Sequence, residues 1–154
     1  MITMRDSVLS DIPDIYQDLR ELDRLEALRL GVNTLDSLRK AYSHSLYCKT
    51  FRIDNEIAAM SGVAGNLFGD IGIPFLLTTN KVYEISPFTF SRIYIDQVRA
   101  MLELYPRLEN YVDASYKGAV KLLKIAGFKL EGPLELGPKK HSFYKFSMDR
   151  NQWA

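Results

Sequence analysis

Ile73-Pro74-Phe75-Leu76-Leu77-Thr78-Thr79 is the stretch from which the fold can be read. It is a continuous apolar run of strand length, the pattern expected of a central strand covered by helices on both faces. The next two elements set how that strand pairs. Ser86-Pro87 puts a cap ahead of a proline at the first helical position, and Tyr94, Val98, Met101, Leu102 and Tyr105 then recur at helical spacing until Pro106 stops the helix. Glu109 to Ala114 reads as a second strand. Strand, helix and strand in this order predict a right-handed crossover between parallel neighbours, with Leu76 on one and Val112 on the other.

Upstream of the central strand, Tyr47 to Ile53 and Ile57 to Ala64 flank Asp54-Asn55, the signature of an antiparallel hairpin. Before them, Ile2 to Arg5 is strand-like, and Ser10 stands where an N-cap belongs, ahead of Asp11, Ile12 and Pro13. The stripe Ile12, Ile15, Tyr16, Leu19, Leu22, Leu25, Leu28 and Leu30 predicts helix up to Gly31. Asn33 or Thr34 caps a further helix carrying Leu35, Leu38 and Tyr42, and Asn66 to Gly72 reads as loop. Downstream, Ser115 reads as a cap, Ala119 to Ala126 as a helix closed by Gly127, and Phe143 to Met148 as a last strand. The expected architecture is α/β, a mixed antiparallel and parallel sheet flanked by helices on both faces, over one domain spanning 1–154.

Composition narrows the functional classes. The 154 residues are 47% hydrophobic, enough for one core without disulfides or a structural metal. Twenty Lys and Arg against 19 Asp and Glu leave a net charge of +1, which argues against nucleic-acid binding by phosphate neutralisation. The charge is uneven: acids predominate across 5–36 and bases across 117–150. A lone Cys48 fits a reducing compartment, and no run approaches a membrane span or a signal peptide, so a soluble protein is expected. His44 and Cys48 lie four apart, but with only His141 as a further histidine no zinc set is expected.

The order of elements resembles the GNAT superfamily of acyl-CoA-dependent N-acyltransferases. Arg5 to Tyr16 is similar to that family's opening, and Ala119, Leu122 and Gly127-Phe128 resemble its A-x-x-L-Y-x-K-x-G-F ending. A narrower similarity is to a phage subgroup that includes a small internal virion protein of short-tailed coliphages. It runs through Ile73 to Thr79, Met101-Leu102-Glu103-Leu104-Tyr105-Pro106, Leu108-Glu109-Asn110-Tyr111-Val112 and Leu122 to Phe128.

The resemblance implies an acetyl-CoA cleft where two parallel strands splay, with Leu76, Leu77 and Thr78 on the strand that pairs with the pantetheine arm. In the family the pyrophosphate rests on a glycine-rich loop at the next helix's N-terminus, where free amides and the dipole favour anions. Here that loop is Glu84 to Arg92, which has no glycine and carries Pro87. Ser86, Thr89, Ser91 and Arg92 are the candidate replacements, an ordinary cap with a surface arginine being the alternative. The family's thiolate-protonating tyrosine falls on Leu123, and the asparagine of its N-x-x-A falls on Tyr116, so Ser115, Tyr116 or water would supply the proton.

For the base that deprotonates an amine acceptor, the resemblance points to Glu21, Asp23 and Glu26, against a solvated acidic face paired with Arg20, Arg24 and Arg29. The aromatics Tyr83, Phe88 and Phe90 would line an acyl or partner pocket or pack the core, and Trp153 would bury against a neighbouring subunit or stay exposed. Two functions are expected: acetyl transfer from acetyl-CoA to an amine, or a catalytically inactive phage protein that binds a structural or host protein. The corresponding locations are the host cytoplasm and the virion.

Overall fold

The computed structural model describes residues 1–65 and 69–153, apart from the side chain of Trp153. The loop reading of Asn66 to Phe68 and the burial of the Trp153 side chain lie outside the described residues. The chain runs β1 (Ile2–Asp6), α1 (Asp11–Asp18), α2 (Glu21–Arg29), α3 (Thr34–Ser43), β2 (Ser45–Ile53), β3 (Glu56–Ala64) and β4 (Ile71–Thr78). It continues through a 3-10 turn (Asn80–Glu84), α4 (Pro87–Leu104), β5 (Arg107–Asp113), α5 (Lys117–Ala126), β6 (Lys129–Leu136) and β7 (His141–Asp149), and ends in a 3-10 turn (Arg150–Trp153).

The strands form one seven-stranded sheet in the order β1-β2-β3-β4-β5-β7-β6, antiparallel except for the parallel β4–β5 pair joined through α4. Helices cover both faces, as expected. Leu76 packs with the α4 and α5 residues Tyr94, Val98, Met101 and Leu123, whereas Phe75 and Leu77 pack with Ile12, Ile15 and Leu38 of α1 and α3. Alternate side chains of β4 thus feed two separate cores. Asp54 and Asn55 both take positive φ in the tight β2–β3 turn, and Gly127 ends α5 in the left-handed conformation that glycine adopts without a Cβ clash.

Several local expectations are corrected. The first helix is not continuous to Gly31: Leu19 pairs with Thr79 in an isolated bridge and Arg20 is extended, so α1 and α2 are separate. Ser10 does no capping with its hydroxyl; the buried Asp11 carboxylate takes the Val8 N–H at 3.0 Å and the Arg5 guanidinium at 2.7 and 2.8 Å instead. Ser115 precedes the cap position, which Tyr116 occupies. Between α5 and β7 the chain adds β6, interrupted by a register shift between Glu131 and Leu134 at Gly132-Pro133. β4 is central, yet Ile73 is exposed and Phe75 to Leu77 are only half-buried, because its β5 side is open.

Candidate functional site

β4 and β5 pair only at Ile71–Arg107 and Gly72–Leu108 before they separate. The β3–β4 register explains why. Thr79 N–H donates to Ala58 in β3, so by strand alternation Thr78, Leu76 and Pro74 turn their backbone groups toward β5. Pro74 has no N–H to give on that edge, and the ladder cannot continue through it. Its carbonyl instead accepts the Asn110 side-chain amide at 2.7 Å, a reach across a gap already opening. Two residues on, the Leu76 amide and carbonyl point into that gap.

The gap opens into a cavity of about 660 Å³ whose lining includes residues of both faces of β4 (Leu76 and Thr78 on one, Phe75 and Leu77 on the other). Tyr94, Ser91 and Phe90 of α4 and Ala119, Leu122 and Leu123 of α5 wall one side. Leu22, Asp23 and Glu26 of α2 close the other. Its cations are Arg20 and Lys121.

α2 is fastened to both separated strands by carboxylates. Asp23 accepts the Thr78 N–H at 2.9 Å and the Thr78 hydroxyl at 2.8 Å, while Glu26 accepts the Asp113 N–H of β5 at 3.1 Å. Burial pushes the Glu26 carboxyl up to about 7, against the hydrogen bond from Asp113 and with help from the neighbouring Asp23 and Asp113 charges. Burial also raises Asp23, despite its two bonds from Thr78. Burial alone would raise Asp113 too, but hydrogen bonds from Ser115 and from Arg29, at 2.7 Å, hold it below the ordinary carboxylate range. Glu26 is therefore the carboxyl of this group poised to gain or lose a proton near neutrality.

Arg20 sits between the rings of Tyr83 and Tyr116, 5.3 and 5.5 Å from their centroids. It donates to the Thr78 hydroxyl at 2.6 Å, to the Tyr83 hydroxyl at 3.2 Å and to the Tyr116 hydroxyl. Burial and the Asp23 charge raise the Tyr116 phenol, so it keeps its proton at neutral pH.

The structure thus gathers Asp23, Glu26, Leu76, Leu77, Thr78, Ser91 and Tyr116 around one cavity, and leaves Glu21, Ser86, Thr89, Arg92 and Ser115 off its lining. Glu21 is exposed on α2. Ser115 is held outside by Asp113 and Arg29, each at 2.7 Å. At the α4 end the Ser86 hydroxyl takes the Thr89 N–H at 3.2 Å and bonds the Thr89 hydroxyl at 2.9 Å. Pro87 has no amide proton, so of the first-turn amides the cap leaves that of Phe88. Ser91 bonds back to the Pro87 carbonyl at 2.8 Å, and Arg92 lies 5.8 Å from the centre of the exposed Phe88 ring.

The arginines expected as partners of a solvated acidic face act otherwise. Arg20 reaches hydroxyls, Arg24 the Tyr16 carbonyl and Arg29 the Asp113 carboxylate. Arg20, Asn110, Tyr111 and Lys121 are among the cavity residues that sequence reasoning did not place at the site; Asn110 carried one signal, a polar residue inside an otherwise apolar strand. A second, polar depression of about 740 Å³ lies against α1 and the β2–β3 turn. Arg5 pairs there with Asp11 and Lys81 with Glu56 and Glu84, while Arg24 and Arg52 donate to backbone carbonyls. Among the described residues no cluster of metal-ligating side chains occurs, and no helix is long and apolar enough to cross a membrane.

No known family model and no curated protein sequence matches the chain. Solved structures do. An acetyltransferase of the GNAT family from Streptococcus pneumoniae superposes with a TM-score of 0.66 at 18% identity over 97% of this chain and 99% of its own. The fold is that of the GNAT acetyltransferases. Spermidine N-acetyltransferase from Vibrio cholerae, solved with CoA and spermine, superposes at 0.70 with 13% identity over 99% of this chain and 97% of its own. The ribosomal-protein-S18-alanine N-acetyltransferase from Escherichia coli superposes at 0.66 with 14% identity over 97% and 94%. In the GNAT fold of this chain, the cavity coincides with the place where the central parallel strands separate.

Proposed function

We propose that the chain is a GNAT domain over 1–154 that transfers an acetyl group from acetyl-CoA to an amine. The observation that carries this reading is the cavity between the separated β4 and β5, lined by Leu76 of β4 and by Glu26 of α2. The residues present fit a CoA thioester in part. Leu76 offers an N–H and a carbonyl to an amide-bearing arm, and Lys121 and Arg20 supply positive charge. The α4 first turn offers fewer amides than a glycine loop would, because Pro87 and the Ser86 cap remove two of them.

Acetyl-CoA, when bound, supplies an acetyl group activated as a thioester. The Leu76 N–H is the donor placed for developing negative charge on a carbonyl oxygen. Glu26, with its proton affinity set near neutrality, accepts the proton of an incoming ammonium and so frees the amine lone pair. Tyr116 keeps a proton available at the cavity wall, held in place by Arg20, where the buried Leu123 can give none. Calorimetric titration with acetyl-CoA tests the reading, with desulfo-CoA and ATP as controls for the arm and the nucleotide. Micromolar binding selective for acetyl-CoA is expected, and no binding at millimolar concentration would sink it.

One observation favours a second reading. The helix end that would face a pyrophosphate keeps only the Phe88 amide of its first turn, the Thr89 N–H being taken by the Ser86 cap, which suits a catalytically silent fold kept for its surface. With the similarity to the phage subgroup, that reading makes the chain a virion component or a binder of a host protein, in the host cytoplasm or packaged. Fixed stoichiometry in purified particles would support it; turnover with a defined amine would end its catalytic silence.

A further inference from the structure

We propose that the α2 end of the cavity selects an amine with one positive charge on an apolar body, such as an arylalkyl or alkyl monoamine, over a polyamine or an amino sugar. The proposal rests on the acyl-transfer reading for its chemistry, and on the placement of carboxylates and apolar walls for its selectivity. Among the described residues the cavity is lined by two carboxylates, Asp23 and Glu26. Asp23 takes the Thr78 amide and hydroxyl on one oxygen, is also hydrogen-bonded to Tyr116, and has the Arg20 charge beside it. Glu26 has one oxygen on the Asp113 amide, and its other oxygen is the anionic acceptor left for a ligand.

Around Glu26 the wall is apolar. Leu22 and Tyr111 are 42% and 38% exposed at the rim, and Phe75 and Leu77 lie further in. A second ammonium would have to leave water beside these side chains with no carboxylate to meet it. Sugar hydroxyls fare no better, because the neighbouring carboxylate, Asp23, is already taken by the Thr78 amide and hydroxyl. A single ammonium on Glu26 with a hydrocarbon or aromatic tail toward Leu22 and Tyr111 satisfies both the charge and the surface.

The test is calorimetry with 2-phenylethylamine, hexylamine, spermidine and glucosamine, on the chain alone and with acetyl-CoA, followed by kcat/KM for each amine. The monoamines should lead spermidine and glucosamine by about tenfold or more, the scale on which a pocket discriminates by a few apolar contacts. Leu22→Glu, an exposed helix position that tolerates glutamate, should shrink that lead about tenfold by adding the missing second carboxylate. Equal or reversed preference, no amine binding, or an unchanged ratio in Leu22→Glu would overturn the proposal. Failure of acetyl-CoA to bind would instead overturn acyl transfer, while the amine affinities of the chain alone still decide the selectivity.

Discussion

The two ends of the cavity use the same kinds of polar side chains in opposite ways. At the start of α4, Ser86 and Ser91 bond groups three and four residues away, Thr89 and Pro87. At α2, Asp23 and Glu26 bond amides 55 and 87 residues away, on two strands that no longer bond each other. The first arrangement finishes a helix; the second holds an opening at a set width. Polar residues satisfied by their own turn stabilise local structure, whereas buried ones satisfied across the fold are where chemistry can be placed.

That contrast can be broken by experiment, beginning where most is at stake. Under the proposed acetyl transfer, Glu26→Gln keeps an acceptor for the Asp113 amide and removes the proposed base, so the rate should fall about 100- to 10,000-fold. The wild-type rate should rise with pH through an inflection near 7, and that limb should vanish in the variant. Full activity in Glu26→Gln would return α2 to a structural role.

The same substitution sharpens the contrast through stability. A carboxyl raised from 4.5 to about 7 binds its proton more tightly in the folded chain, so its stabilisation is complete below pH 4.5 and is lost as pH rises through 7. Glu26→Gln should therefore be more stable than wild type around pH 8, by about 2 to 3 kcal/mol, with the gain fading toward pH 4.5. Urea denaturation at several pH values reads this directly, and a pH-independent difference would show that Glu26 is not desolvated.

Smaller effects are expected at the α4 end. Ser86→Ala should cost about 1 kcal/mol of stability, the loss of one helix cap, visible as a lower urea midpoint. Arg92→Ala should leave acetyl-CoA affinity within about twofold; a loss of about 1.5 to 3 kcal/mol would instead put a phosphate on that guanidinium. The cavity would then have a ligand site at both ends.

Much of the architecture was legible because local signals and global fold agree. The Asp54-Asn55 turn, the Ser86-Pro87 start, the Gly127 stop and the apolar run of β4 each declare themselves within a few residues. β6 was not legible, since Gly132-Pro133 reads as a turn where the strand only shifts register. Nor was the break between α1 and α2, which depends on Leu19 pairing with Thr79, 60 positions away. Asp23 and Glu26 were legible as acids in the right part of the chain, but their half-burial was not, because it comes from strands much later in sequence. Arg20, Arg24 and Arg29 were misread for the same reason: the spacing of helical neighbours names candidate partners, and burial chooses others.

Pro74 gives the opening a fixed gauge. Below it the strands are sealed by the Ile71 and Gly72 pairs, and above it the first obstruction is the Asp23 carboxylate on Thr78. Four residue rises separate Pro74 from Thr78, about 13 Å of strand edge. Whatever threads this slot is measured against that length, and anything longer must carry its remainder outside the sheet. Pro74→Val would restore a backbone N–H there, the donor of one further rung of the β4–β5 ladder, while Asp23 and Glu26 still hold the Thr78 and Asp113 amides. One imino acid thus marks where the sealed part of the strand pair gives way to the open one.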